Sequence, residues 1–198
     1  MAEKLGWYQP RLGTSLDRIT ELGLAKDAAI IDVGAGASTL VDDLIDEGFE
    51  YVTVLDLADS ALDISRKRLG RQQEMVMWLA ADITTYPLPA AWFDLWHDRA
   101  TFHFLVDQGD RDAYLRNLDR ALKPGGYAIF QQFAPDAPPT CTGISVRRYS
   151  HEELASVLGS DFDLLRHDRS VHVTPAGVEQ PYLCCLFRKS ESAGPGHR

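Results

Sequence analysis

Short apolar runs alternate along the chain with segments whose apolar residues recur at helical spacing, the pattern of an α/β domain. Ala29 to Val33 reads as a first strand, and Leu40, Val41, Leu44 and Ile45 share one face of the helix that follows. Tyr51 to Leu55 is a Val-containing run suited to a parallel strand buried on both faces, with Gly48 as the left-handed stop before it. The unit then repeats. Asp59 or Ser60 caps a helix carrying Ala61, Leu62, Ser65 and Leu69, Gly70 ends it, and Met75 to Leu79 form a third strand.

A fourth strand centres on Phe93-Asp94-Leu95-Trp96, and between Asp110 and Lys123 a helix presents Leu115, Leu118 and Leu122 on one side. Pro124-Gly125-Gly126 breaks that helix before a strand from Tyr127 to Phe133. Ser150 and Glu153 form a capping box for a helix from His151 to Leu158, and strands around Phe162 to Arg166 and Tyr182 to Arg188 follow. The expected fold is a doubly wound α/β sheet of about seven strands, mostly parallel, with an antiparallel C-terminal strand and helices on both faces.

The 198 residues suit one core rather than two, so residues 1–189 are expected to form one domain, with residues 1–14 as an N-terminal lid segment. Residues 190–198 read as a disordered tail. The formal charge of −9 disfavours nucleic-acid binding, which needs a basic surface, and no apolar run reaches the length of a membrane span. The N-terminus lacks the apolar stretch of a signal peptide, which with three thiols in neither disulfide nor zinc spacing predicts a cytoplasmic protein without structural metal.

The candidate chemistry starts at Gly34-Ala35-Gly36, a glycine turn between first strand and first following helix, where backbone can approach a ligand closely. Asp56 stands about 20 residues further on, at the end of the second strand, where a carboxylate accepts ribose hydroxyl hydrogens from an adenosine cofactor. Asp32-Val33-Gly34-Ala35-Gly36 resembles the first motif of class I, seven-strand S-adenosylmethionine-dependent methyltransferases, whose acidic residue stands two positions before the first glycine. Asp82-Ile83, Phe93-Asp94-Leu95-Trp96-His97 and Leu122-Lys123-Pro124-Gly125-Gly126 extend the resemblance through most of the domain, while Ser38 stands where many members carry a third glycine.

The resemblance implies a Rossmann-like fold, S-adenosylmethionine as cofactor and one-step methyl transfer to a nitrogen, oxygen or sulfur acceptor without a metal. It also implies roles in donor binding. Asp32 orders the glycine loop and the methionine ammonium, Asp82 and the Ile83 N–H bind adenine, Leu57 packs on its face, and the His97 carbonyl anchors the ammonium. Asp82 serves equally as a cap for the turn at Thr84-Thr85, and Arg11 either pairs with the methionine carboxylate or lies in an ordinary N-terminal staple with Trp7 and Tyr8.

The acceptor is expected beyond the fourth strand, at Trp96-His97-Asp98-Arg99-Ala100-Thr101-Phe102-His103. Asp98 and His103 are candidates to take or relay a proton and Arg99 to orient an acidic group; the alternatives are a helix cap, a packed ring and an ion pair. Asp98-Arg99-Ala100-Thr101 loosely resembles the Asp-Lys-Gly-Thr segment of seven-strand protein-lysine methyltransferases, with Arg99 for Lys and Ala100 for Gly. A protein lysine and a small molecule are therefore both expected acceptors, and the oligomeric state stays open. A nicotinamide oxidoreductase would share the glycine turn and Asp56 but gives Asp32 and Asp82 no role, and a non-catalytic cofactor-binding protein is the remaining alternative. Pro138 to Gly143 reads as an active-site lid or an exposed loop.

Overall fold

The computed structural model describes residue 9, residues 11–174 and residues 177–191. Residues 1–8 of the expected N-terminal lid, with Trp7 and Tyr8, and most of the expected tail lie outside the described residues. In chain order the elements are α1 (Gly13–Glu21), β1 (Ala29–Val33), α2 (Leu40–Asp46), β2 (Tyr51–Asp56), α3 (Asp59–Leu69), β3 (Val76–Ala80), β4 (Phe93–Arg99), α4 (Gln108–Ala121) and β5 (Leu122–Phe133). A small hairpin of β6 (Thr140–Cys141) and β7 (Ile144–Ser145) precedes α5 (His151–Leu158), β8 (Phe162–Val173) and β9 (Glu179–Lys189).

Seven of these strands form one sheet in the order β3-β2-β1-β4-β5-β9-β8, with β9 antiparallel to both neighbours and the pairs among β1 to β5 parallel. All five residues of β1 are buried, because helices cover both faces of a central parallel strand and leave no side for polar alternation. On one face Leu16 and Ile19 of α1 pack with Leu44 of α2, Leu62 of α3 and Leu95 and Ile129 of the sheet. On the other, Trp96, Phe102, Tyr114, Leu118 and Phe130 meet Leu154 of α5. Strand alternation therefore sends Leu95 and His97 to the α1 side and Trp96 and Asp98 to the α4 side, which decides what each can touch.

Several boundaries differ from the sequence expectation for local reasons. The long strand β8 carries Arg166, His167, Asp168 and Arg169, and at the sheet edge its outward positions stay wet, so no apolar run marks its full length. Strand β5 starts at Leu122, and Pro124-Gly125-Gly126 sits in its irregular opening, where the register against β4 shifts between Phe93 and Leu95. Neither Asp59 nor Ser60 caps α3; the cap position is Ala58, whose N–H donates to Asp56 Oδ1 at 2.8 Å. The capping box of Ser150 and Glu153 forms with both hydrogen bonds present. No helix among the described residues is long and apolar enough to cross a membrane.

Candidate donor and acceptor site

The strand order reverses between β1 and β4, and the carboxyl ends of the two strands diverge there to leave a crevice. A cavity of about 500 Å³ lies in it, running from the Asp82 loop past the glycine turn to Arg99 and Cys141. Gly34 and Gly36 both hold positive φ, at 65° and 56°, as the tight strand-to-helix turn requires. Gly34 has a second reason to lack a side chain. Thr101 lies across it, donating to the Val33 carbonyl at 3.1 Å, and a Cβ on Gly34 would stand 1.8 Å from the Thr101 hydroxyl.

Four carboxylates line this cavity: Asp32, Asp56, Asp82 and, from the first turn of α4, Asp110. Asp56 ends β2 and accepts from the Gly36 N–H through Oδ2 at 2.8 Å and the Ala58 N–H through Oδ1, clamping the glycine loop while each oxygen keeps acceptor capacity. Asp82 accepts from the Thr84 N–H and hydroxyl at 2.8 and 2.6 Å, so the turn-capping role forms, with the residue still on the cavity wall. Its loop is braced from below by the Asn117 amide, which donates to the Ile83 and Tyr86 carbonyls at 2.8 Å each. Leu57 is 74% exposed at the rim, an apolar side chain available to a flat ring.

Asp32 is 2% exposed at the cavity floor. Its Oδ1 meets His97 Nδ1 at 2.7 Å; His97 Nε2 meets the Ser15 hydroxyl at 2.8 Å, and that hydroxyl donates to Gln131 Oε1 at 3.1 Å. This buried chain ties β1, β4, α1 and β5 together beneath the cavity. Asp32 Oδ2, by contrast, is buried without a hydrogen-bond partner among the described residues. A buried carboxylate oxygen left unsatisfied is costly, and a cationic ligand group arriving from the cavity would satisfy it. The set of Asp32, the glycine turn, Asp56, Asp82, Ile83 and Leu57 thus fits an adenosine carrying a cationic amino-acid chain.

At the opposite end Arg99 continues β4 on the side of His97, partly buried, with its guanidinium 5.4 Å from the centre of the Tyr182 ring. Cys141 reaches the same wall from the β6–β7 hairpin, whose turn residues Thr142 and Gly143 both have positive φ, 50° and 82°. Burial pushes the Cys141 thiol up, so it is a wall and no nucleophile. Among the described residues no group of three or more His, Cys, Asp and Glu is placed to hold a metal.

Residues 31–130 match a family described as a methyltransferase domain. The chain belongs to that family. It is a class I, S-adenosylmethionine-dependent methyltransferase domain, and S-adenosylmethionine is its cofactor. It is 31% identical over 121 residues to a malonyl-[acyl-carrier protein] O-methyltransferase of Pseudescherichia vulneris, covering 61% of this chain and 45% of that protein. A mouse eEF1A lysine and N-terminal methyltransferase is 25% identical over 100 residues, or 50% of this chain and 14% of that one. The chain spans less than half the length of these two curated relatives. A SAM-dependent methyltransferase of known structure from Methanosarcina mazei shares the fold, with a TM-score of 0.71 at 17% identity over 87% of this chain and 97% of that one.

Within the methyltransferase domain three sequence expectations need correction. Asp98 faces away from the cavity, because it alternates with Arg99 on β4, and is fully buried on the α4 side. Its carboxylate accepts from the Tyr114 hydroxyl at 2.5 Å, the Gln132 amide at 2.7 Å and the N–H groups of Thr101 and Phe102. Burial pushes its carboxyl above the usual range against the pull of those donors. It is the cap that folds the chain after β4. Asp98→Asn is accordingly expected to lose about 1–3 kcal/mol of stability, since an amide turns a donor toward donors, while affinity for S-adenosylhomocysteine stays at the wild-type value. Urea unfolding beside calorimetry checks both halves.

His103 is also turned inward, its ring edge-on to Phe104 and Phe133, and burial with the nearby Arg99 charge pushes its pKa down to about 3. It cannot relay a proton near neutrality. A depressed folded pKa means stability complete above the unfolded value of about 6.5 and lost as pH falls toward 3, which amounts to about 2 kcal/mol at pH 5. His103→Gln should flatten this acid-side loss in denaturant titrations at pH 7 and 5; an unchanged slope would show that the ring charges freely.

Arg11, the third correction, lies outside the cavity and pairs with Asp43 of α2 at 3.7 Å, and its neighbour Leu12 lines the wall instead. The His97 side chain was missed as a site element, because only the β1–β4 pairing sets it against Asp32. Phe104, Leu105 and Asp110 also line the cavity, and their sequence signal was no more than proximity to β4.

Proposed function

We propose that this domain transfers a methyl group from S-adenosylmethionine to a nucleophilic atom of a small molecule seated at the Arg99 and Cys141 end of the cavity. The observation that carries the reading is the division of one crevice into an acidic end, with Asp32, Asp56 and Asp82, and an end walled by Arg99, Phe104 and Cys141. The bound donor supplies an electrophilic methyl group on a sulfonium, so in-line displacement needs neither an enzyme nucleophile nor a metal. Asp56 and Asp82 accept hydrogen bonds from ribose and adenine, the Ile83 N–H donates to the ring, and Asp32, held by His97, meets the ammonium. Leu12, Phe104 and Leu105 exclude water where the acceptor atom approaches.

A small molecule is preferred to a protein lysine because the Asp98 carboxylate is not offered to an acceptor, although Asp110 also lines the cavity. Asp98, the expected proton acceptor, is committed to the core, while a cationic guanidinium stands at the acceptor end. The O-methylation named for the Pseudescherichia relative supports an oxygen acceptor. Transfer of labelled methyl groups into host lysate, separated into protein and small-molecule fractions, tests the reading. Label in the small-molecule fraction is expected; label confined to protein would overturn it.

A further inference from the structure

We propose that Arg99 is the carboxylate-binding residue of the cavity, taking either the carboxylate of the donor's methionine end or that of an acidic acceptor. This rests on the donor reading above and begins from the strand. His97 and Arg99 are two residues apart on β4 and project to the same face, and His97 grips the Asp32 carboxylate. A fixed anion and a fixed cation therefore flank one stretch of the cavity, a charge pattern that matches a zwitterion or a carboxylate beside a cationic centre.

The surroundings favour an anion at Arg99. The Tyr182 ring backs the guanidinium at 5.4 Å, and Tyr182 is itself almost fully buried behind Phe133, so the planar fork is braced rather than free to swing into solvent. Burial lowers the guanidinium's pKa, and a carboxylate reaching it from the cavity favours its charged form. Arg11, one of whose two expected roles this was, is 67% exposed beside Asp43 and is not part of the cavity wall.

The test compares wild type with Arg99→Met and Arg99→Lys, and Arg99→Gln where the methionine variant does not fold. Calorimetry uses S-adenosylhomocysteine, which has the amino-acid end, and 5′-methylthioadenosine, which lacks it. A parallel assay measures labelled methyl transfer into lysate small molecules. If the donor's carboxylate is bound, the neutral variants lose about 10- to 100-fold in affinity for S-adenosylhomocysteine and nothing for 5′-methylthioadenosine, with partial recovery in Arg99→Lys. If the acceptor's carboxylate is bound, both affinities hold and the label transferred to lysate small molecules falls in the neutral variants.

Folded neutral variants that match wild type in both affinities and in small-molecule label overturn the proposal while leaving the donor reading standing. Wild-type protein that binds neither nucleoside overturns the donor reading, and the role of Arg99 falls with it.

Discussion

Asp32→Asn is expected to weaken S-adenosylhomocysteine binding by about 2–5 kcal/mol, the cost of removing one charge from a buried, hydrogen-bonded charged contact. Asparagine keeps the shape and can still accept from His97 Nδ1, so the chain through Ser15 to Gln131 should survive and the fold with it. What changes is the face that meets the ligand: an N–H₂ group replaces the Oδ2 that has no other partner among the described residues. The matched control is 5′-methylthioadenosine, which has no ammonium and should bind the variant as it binds wild type. Equal losses for both ligands would show that Asp32 acts on the glycine loop as a whole; no loss for either would remove it from the site.

Gly34→Ala is expected to cost more than about 4 kcal/mol and to leave little folded protein, because two penalties fall on one atom. The positive φ of 65° is unfavourable for any side chain, and the new Cβ would stand 1.8 Å from the Thr101 hydroxyl and 2.7 Å from its Cβ. The residues pressed together belong to the β1 and β4 ends, so relief would open the crevice that positions the ligand. Pairing Gly34→Ala with Thr101→Gly separates the terms: the contact goes and the backbone strain of about 1–2 kcal/mol stays. Urea unfolding should place the double variant between wild type and the single variant. A single variant within about 1 kcal/mol of wild type would mean that Thr101 does not sit across the loop.

These two positions differ in how far sequence reading reached them. The acid before the glycines and the turn itself were legible, since strand, turn and helix follow one another within a few residues and each has a local signature. The clash partner of Gly34 was not, because Thr101 is 67 residues away and meets it only through the β1–β4 pairing. The same holds for His97, which looked like one polar residue of a strand until Asp32 and Ser15 closed on its two nitrogens.

Asp98 and His103 illustrate the limit most clearly. Four ionisable groups crowded at the end of β4 and just beyond it invited a catalytic reading, yet strand alternation alone places Asp98 opposite Arg99, and burial decides that one caps a turn while the other lines a cavity. By itself, the sequence determined the order of the elements, the capping box of α5, the glycine turn and the acids at the ends of β1 and β2, all of which rest on contacts between near neighbours. Only the tertiary structure decided the full length of β8 and β9, the displacement of Arg11 by Asp43, the facing of Asp98 and His103 into the core and of Arg99 into the cavity. Those outcomes depend on which face of a strand is covered and by what, and no local pattern of residues contains that.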